Sequence, residues 1–421
     1  MTPAGAPPPA TTPTPPSFGR ALRSRPFLFL WLSQFISQSG DYVFDVALIW
    51  LVLESTGSIF AVGLVVTAAL VPTVVLGPLL GVYVDRWPRR TLLIVTNVAE
   101  GALVAGLSGL ILAHAAGLAV ILGVVVALSV GGRVVALTSS AMVPQTVGRD
   151  DLGPANGLTQ ISGSTTQIAG LSIGGVVVAL FGVVLPITYD AVTFFAAAVI
   201  VTLIAASVGR PEPPADGQPR RFSTEFREGL DYIRGQRWIL ELISIGIVVN
   251  FCGNAVFTLW APYAARVLHG GAATYGLLGA AIAFGSILGA LLVGKLDFRS
   301  RLGTVLLLGD VAVGALIVLL GLTRSIPLAL GESAAFGVML SVINVPLFAA
   351  FQARVPARLM GRATAVLMGF ILAAAPFGAF FAGLMAERTS IPLVYEVLGL
   401  IVVAMAGVGA AFLGEIRRLT Y

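Results

Sequence analysis

The decapeptide GVYVDRWPRR, Gly81 to Arg90, joins two long apolar runs, which we place at residues 59-81 and 92-113. As a helix, each run is long enough to cross about 30 Å of hydrocarbon. A short basic turn between two such helices needs a small residue where the helices touch, here Gly81, and an acid that holds the arginines in place, here Asp85. The stretch therefore predicts a tight turn between two membrane-spanning helices.

Similar apolar runs extend over almost the whole chain. Of the 421 residues, 57% are hydrophobic and only 11% are charged, and the mean hydropathy is +0.96, which is far from the composition of soluble domains. Strand-sized alternating segments are absent, which favours helices over a barrel. We predict an all-α integral membrane protein with twelve transmembrane helices, at residues 27-53, 59-81, 92-113, 118-142, 157-182, 187-207, 238-262, 273-294, 303-322, 327-351, 364-386 and 391-414.

The distribution of basic residues predicts the orientation of these helices. Of the 25 Lys and Arg residues, 21 fall on one side of the predicted bilayer and three, Arg266, Arg324 and Arg388, fall on the other. Because basic residues accumulate in cytoplasmic loops, both termini are predicted to be cytoplasmic, as an even number of spans requires. We expect a multi-pass protein of the inner or plasma membrane. The pI of about 9.7 reflects this asymmetry and gives no reason to expect nucleic-acid binding.

One long polar segment divides the spans into two bundles of six. This segment runs from Gly209 to Trp238, and its first part is rich in proline. Its second part carries four apolar residues at helical spacing, which predicts an amphipathic helix at the membrane interface. Span 4 and span 10 both end in Val-Pro followed by a turn that contains Arg. This weak internal repeat is expected of a transporter that arose by duplication. The predicted order is a disordered cytoplasmic tail at 1-25, a six-helix bundle at 26-208, a cytoplasmic linker at 209-237, a second six-helix bundle at 238-414 and a cytoplasmic tail at 415-421.

The decapeptide resembles the signature loop of the major facilitator superfamily, in which Gly, three residues, Asp-Arg, one residue, Gly and two basic residues follow one another. Pro88 stands where the second glycine usually is, and the matching residues are Gly81, Asp85, Arg86, Arg89 and Arg90. Span count, twofold repeat and central linker extend the resemblance over the chain from about Arg25. Together with SGDYVFDVALIW in span 1, the loop resembles the branch of macrolide and siderophore exporters.

This resemblance implies a mechanism and a fold. Two six-helix bundles rock about a central cavity and expose it to one side at a time, and spans 1, 4, 7 and 10 line that cavity. The signature loop acts as a gating latch between the bundles when the cavity is closed on the cytoplasmic side. Neither a cofactor nor a metal is expected, and the small-molecule substrate moves with protons.

Span 1 carries a polar stripe. Gln34, Gln38, Asp41 and Asp45 share one helical face, which must point to the bundle interior or to water, because a charge facing lipid costs several kcal/mol. Arg133 is the only Lys or Arg in the core of a predicted span, and an arginine there needs a carboxylate or a ring of acceptors. We take Asp41, Asp45 and Arg133 as the cluster for proton coupling and substrate orientation. A static ion pair that fixes helix packing is the alternative.

Further polar residues are predicted to line the cavity from the second half. These are Asn250 and Asn254 on one face of span 7, and Ser341 and Asn344 in span 10. With the two glutamines of span 1 they would give a mixed amide and apolar cavity, which suits a moderately amphipathic substrate; interhelical hydrogen bonds are the alternative. Glu100 in span 3 and Asp310 in span 9 are expected to make structural hydrogen bonds, since these spans are less central.

The stretch GLSIGG in span 5 resembles the glycine motif of antiporters, with Leu171 where that motif has Pro. Gly170, Gly174 and Gly175 are predicted to pack helices closely, and a gating contact is the alternative. We reject two other patterns. GALLVGKL, residues 289 to 296, lacks the Ser or Thr of a P-loop, so no ATP binding is expected. GLSIG matches a hydrolase nucleophile pattern, but it lies inside a span and the only histidines, His114 and His269, are predicted on the outer side, so no enzyme is expected.

The sequence thus predicts a secondary active transporter, most simply a proton-coupled exporter of drug-like or siderophore-like small molecules, working as a monomer in the lipid bilayer. A facilitator or proton symporter that imports a small metabolite is one alternative. A membrane scaffold or sensor that transports nothing is another.

Overall fold

The computed structural model describes residues 18–84, 86–209, 222–295 and 301–417, and in these ranges the regular structure is helical. The first half contains α1 (Phe18–Arg23), α2 (Arg25–Thr56), α3 (Ile59–Val84), α4 (Arg89–Leu112), α5 (Leu118–Thr146), α6 (Leu152–Phe181) and α7 (Val184–Thr202). The second contains α8 (Phe222–Arg234), α9 (Arg237–Thr258), α10 (Trp260–Arg266), α11 (Ala272–Val293), α12 (Leu302–Leu322), α13 (Ile326–Arg354), α14 (Met360–Leu372), α15 (Ala375–Arg388), α16 (Ile391–Phe412) and α17 (Gly414–Arg417).

Twelve helical segments in the described ranges are long and apolar enough to cross a membrane, which confirms the predicted number of spans. Helices α2 to α7 provide six of them. Helices α9, α11, α12, α13 and α16 provide five more, and α14 with α15 provides the last. Many large apolar side chains point away from the protein, among them Leu79, Leu180, Leu308 and Phe412, which are 64 to 75% exposed. Such a surface needs hydrocarbon around it.

Two predicted spans are interrupted. Span 7 breaks between α9 and α10, and span 11 breaks between α14 and α15. In both cases the first helix ends four residues before a proline, at Thr258 before Pro262 and at Leu372 before Pro376. A proline ring clashes with the carbonyl group of the residue four positions earlier, which explains the position of each break. Helices α5 and α13 contain prolines and continue, so the clash is accommodated there.

The terminal and linker segments gather at one end of the molecule, which we call the linker side. Helix α1 forms where we predicted a disordered tail, so that prediction is wrong for residues 18–23. The helix is fixed by an ion pair in which the Arg20 Nε lies 2.5 Å from the Asp151 Oδ1. Helix α8 carries the amphipathic pattern of the linker and rests on α14, where Arg362 pairs with Glu228. Residues 1–17 and 210–221 lie outside the described ranges.

The two halves meet at the opposite end, which we call the far side. There the buried core of the second half includes Ile59 of α3, and that of the first half includes Ala261 and Ala272. Near the linker side the buried clusters of the two halves share no residue in the described ranges. The bundles are therefore closed together on the far side and separated on the linker side.

Candidate functional site

The polar stripe of α2 faces open space between the helices. Gln34, Gln38, Asp41 and Asp45 all line a cavity of about 440 Å³. Gln38, Asp41 and Asp45 also line an adjoining cavity of about 910 Å³, which continues along the first turns of α6 towards the linker side. The Asp41 side chain is half-buried and that of Asp45 is exposed to the cavity. All four side chains of the stripe therefore face interior space in this conformation.

Arg133 of α5 lines the larger cavity together with both aspartates, but it does not pair with them. Its guanidinium lies along α3, where an ideal Cβ on Gly77 would be 3.5 Å from Nε. Within the described ranges no carboxylate lies within ion-pair distance of Arg133, and its buried Nε has no hydrogen-bond partner. The predicted contact between this arginine and the aspartates is thus not formed in this conformation, although all three groups face the same space.

Two more carboxyl groups line the smaller cavity. Glu100 of α4 is 3% exposed and Asp190 of α7 is 1% exposed. Each lies over a glycine: Glu100 over Gly131 of α5, and Asp190 over Gly40 of α2, where an added Cβ would collide with the carboxyl oxygen. One oxygen of each group, Glu100 Oε2 and Asp190 Oδ2, has no hydrogen-bond partner.

A structural hydrogen bond is predicted for Glu100, whereas the sequence predictions do not include Asp190. No described group donates a hydrogen bond to Glu100, so the structure does not show the expected bond. Asp190 receives one from the Thr193 hydroxyl at 3.3 Å. The signal that could have found Asp190 is its position in an apolar stretch, TYDAVTFF, inside the predicted span 187-207. Together, four carboxyl groups and one arginine surround the connected cavities.

The three glycines of span 5 lie at close helix contacts. A Cβ on Gly170 would be 2.6 Å from that of Tyr42, and one on Gly174 would be 3.1 Å from the Cα of Val43, so both glycines pack against the α2 segment that carries the aspartates. Gly175 faces Gly276 of α11 on the far side, where an added Cβ would be 3.0 Å from the opposite Cα. These contacts are compatible with packing and with gating.

The polar residues of the second half line two different cavities. Asn250 and Asn344 line a cavity of about 210 Å³, and Asn254 donates a hydrogen bond of 3.0 Å to the Asn250 Oδ1. Ser341 donates to the Ser286 carbonyl at 2.7 Å and lines a cavity of about 570 Å³ between the halves. This second cavity shares Ser164 and Gln167 with the larger cavity at Arg133, so Ser341 borders the space that the α2 stripe faces.

The loop between α3 and α4 is bound to its own half. Arg89 Nη1 donates to the Ala141 carbonyl at 3.1 Å, and Arg90 Nη2 donates to the Thr202 carbonyl at 2.7 Å. The Arg86 side chain is exposed, and Gly81 has open space beside it. Asp85 lies outside the described residues. The predicted latch stays a prediction.

Contacts across the two halves are found on the far side. Gly63 of α3 and Gly383 of α15 let these helices touch, since a Cβ on either would be 2.9 Å from the other's Cα. Glu387 accepts hydrogen bonds from the backbone N–H groups of Ile59 and Phe60, at 2.6 and 3.2 Å, in the first turn of α3. The cavities are thus closed on the far side and open on the linker side.

A family model described as transmembrane secretion effector matches residues 17–415, nearly the whole chain. The chain belongs to this family of the major facilitator superfamily. Its members are transporters, so the protein is a transporter and not an enzyme. Twelve spans and bacterial transporter relatives make it a multi-pass protein of the plasma membrane.

Relatives of this transporter include drug exporters. It is 25% identical over 409 residues to the multidrug efflux pump Tap of Mycobacterium tuberculosis strain H37Rv, covering 94% of this chain and 95% of that protein. It is 22% identical over 407 residues to macrolide efflux protein A of Streptococcus pyogenes, covering 93% and 97%. Among solved structures, a D-xylose-proton symporter matches with a TM-score of 0.71 at 15% identity, covering 94% of this chain and 99% of the other, which shows the shared fold.

Within the described ranges, the transporter has no group of three His, Cys, Asp or Glu side chains that could hold a metal ion.

Proposed function

We propose that this transporter is a proton-coupled exporter of amphipathic, drug-like or siderophore-like molecules that works by alternating access. The observation that carries the proposal is the set of four carboxyl groups and one arginine around the connected cavities. Charged groups removed from water are costly unless they are paired. Because basic side chains do not balance these acids, positive charge has to come from protons or from a cationic substrate. The efflux pumps among the relatives support export as the direction.

The linker side is taken as cytoplasmic, since the excess of basic residues is predicted there. The described conformation then faces inward, with the far side closed by glycine contacts and by Glu387. Arg89 and Arg90 bind their own half in this state. In the proposed cycle the signature loop contacts the second half only when the cytoplasmic side closes.

Coupling follows from the different exposure of the acids. In the inward-facing state, Asp41 and Asp45 release a proton to the cytoplasm, and the substrate enters the cavity. After the bundles rock, the cavity faces the more acidic exterior, a proton returns to the aspartates, and the substrate leaves. Arg133, which has no carboxylate partner in the described conformation, serves as a mobile counter-ion for whichever aspartate has lost its proton.

The test is dye efflux from inverted vesicles with and without an imposed pH gradient. Asp41→Asn or Asp45→Asn is expected to keep substrate exchange but lose gradient-driven accumulation, and Arg133→Ala to slow both. Glu54→Gln is the matched control, because this acid lies at the end of the same helix, exposed, and bonds only to Trp50 of its own helix. If every variant follows the gradient like the wild type, coupling through these residues is wrong.

Substrate accumulation in whole cells separates the alternatives. Collapse of the proton gradient raises substrate accumulation in cells that contain an exporter and lowers it in cells that contain a proton symporter. A protein that moves none of a broad substrate panel in liposomes, under any gradient, would instead be a scaffold or sensor.

A further inference from the structure

A second cavity with a buried acid lies inside the C-terminal half. It has a volume of about 210 Å³ and is formed by α9, α12, α13 and α14. Among the described residues that line it, Asp310, Asn250 and Asn344 are the only polar ones, and the others are apolar. The acid cavity of the first half shares no lining residue with it. The two are therefore separate sites in this conformation.

Asp310 is 4% exposed and has no partner. No described group donates a hydrogen bond to it or forms an ion pair with it, and the cavity is lined by no Lys, Arg or His. A structural hydrogen bond is predicted at this position, and the structure does not show one. A buried polar group without a partner is costly. The carboxyl group is thus available for a ligand that brings a hydrogen-bond donor.

The amide side chains of Asn250 and Asn344 determine which further hydrogen bonds a ligand can form in the cavity. The Oδ1 of Asn250 accepts a hydrogen bond from the side chain of Asn254 and keeps a second lone pair for a ligand. The Nδ2 of Asn344 donates to the carbonyl of Leu340 at 2.8 Å, which leaves the Asn344 Oδ1 as an acceptor. The cavity therefore offers acceptors from Asp310 and from both amides. This set matches a ligand whose polar end is an ammonium group, which carries donors and no acceptor, and whose body is apolar.

Tight helix packing fixes the position of the acid. A Cβ on Gly309, the residue before Asp310, would be 2.6 Å from a side-chain carbon of Ile343, so α12 touches α13 directly beside the cavity. Asn344 is exposed, and Phe348 is 41% exposed, whereas Asp310 is deeply buried. The cavity thus has an accessible mouth and a closed, charged base.

Corresponding helices carry the acids of the two halves. Glu100 lies on the third span of the first half, and Asp310 lies on the third span of the second half. The first span of each half differs: α2 brings Asp41 and Asp45, whereas α9 brings Asn250 to its cavity. The C-terminal site therefore holds one carboxyl group and suits one positive charge.

We propose that Asp310, Asn250 and Asn344 form a second binding site that takes the amine end of an organic monocation with an apolar body. Ligand pockets commonly measure about 300 to 1,000 Å³, so this smaller cavity fits an amine with a single ring or one end of a larger molecule. The site does not depend on the direction or the coupling of transport.

The test is equilibrium binding of radiolabelled 2-phenylethylamine to the purified full chain in detergent. Asp310→Asn is expected to raise the Kd of one binding equivalent per chain at least tenfold. Asn344→Leu keeps the size of an exposed side chain and is expected to weaken the same equivalent. Glu332→Gln is the matched control, because this buried acid of the same half is already hydrogen-bonded by Thr323 and lies outside the cavity. Binding to this variant should equal that of the wild type.

Three results would overturn the proposal. The first is the absence of saturable amine binding in the wild type. The second is unchanged binding in both cavity variants, and should Asp310→Asn fail to fold, Asn344→Leu decides alone. The third is equally strong competition by 2-phenylethanol, which has the same ring and no positive charge. Failure of gradient-driven efflux in vesicles would leave these binding results untouched, so the two proposals fail separately.

Discussion

Replacing Glu387 by Ala is predicted to open the far side of the transporter. The Glu387 carboxylate of α15 accepts hydrogen bonds from the N–H groups of Ile59 and Phe60, at 2.6 and 3.2 Å. These N–H groups belong to the first turn of α3, where a helix leaves its amide groups unsatisfied and carries partial positive charge. One side chain thereby caps a helix of the other half. Its removal weakens a contact that exists only while the far side is closed.

The size of the effect follows from capping and charge. Loss of a side-chain cap costs about 0.5 to 2 kcal/mol, and a carboxylate near a helix N-terminus contributes about 0.3 to 1 kcal/mol. The Glu387 side chain is exposed, so water replaces part of the lost bonding and screens the charge. We expect a net loss of about 1 to 2 kcal/mol, which shifts the ratio of far-side-closed to far-side-open molecules about 5- to 30-fold.

Distances between spin labels on the far side measure this shift. The single cysteine, Cys252, is replaced by Ala, and labels are placed at the exposed positions Ala115 and Ser325, one in each half. Glu387→Ala is expected to increase the population with a long distance between the labels. Glu54→Ala removes an acid from the same side that bonds only within its own helix, and it should match the parent. Identical distance distributions for parent and Glu387→Ala would refute the reasoning.

Three further substitutions test the packing that surrounds the cavities. Gly276→Val places a Cβ 3.0 Å from the Cα of Gly175 and is expected to abolish vesicle efflux while the protein still inserts in the membrane, as judged by membrane fractionation. Glu241→Ala removes the acceptor of the Ile416 N–H, at 3.0 Å, and should lower the free energy of unfolding by about 1 to 3 kcal/mol, measured as a lower thermal midpoint. Gly40→Ala collides with the carboxyl group of the α7 aspartate and should cost about 1 to 3 kcal/mol by the same measurement, whereas Gly123→Ala, with open space beside it, should not.

Much of the fold follows from the length and composition of the apolar runs. The length and apolar composition of a run are enough to identify a spanning helix, without knowledge of the helices that pack against it. Twelve helices could therefore be located from the sequence alone. The breaks before Pro262 and Pro376 could not be predicted in the same way, because α5 and α13 accommodate prolines without a break. Whether a proline interrupts a helix depends on the neighbours that stabilise the freed backbone groups, and these are known only from the assembled bundle.

The candidate site was predicted less completely for a related reason. Helical periodicity places Asp41 and Asp45 on one face of α2, but it does not give the rotation of α5 relative to α2. The side chain of Arg133 therefore turned out to lie along Gly77 rather than beside an aspartate. The role of Asp190 depends on a contact between helices distant in sequence, and no pattern within α7 reports that contact.

The acids of the first half fall into two groups, and glycine packing separates them. Glu100 and Asp190 lie over Gly131 and Gly40, so helix backbone covers them in any state in which the first bundle moves as a rigid body. Asp45 is exposed to the cavity, and its contact with water changes when the two bundles change their relative position. A carboxyl group whose surroundings stay constant cannot bind a proton from one side of the membrane and release it to the other. We therefore infer that the cavity-facing aspartates of α2 exchange the transported proton, while Glu100 and Asp190 take no part in this exchange.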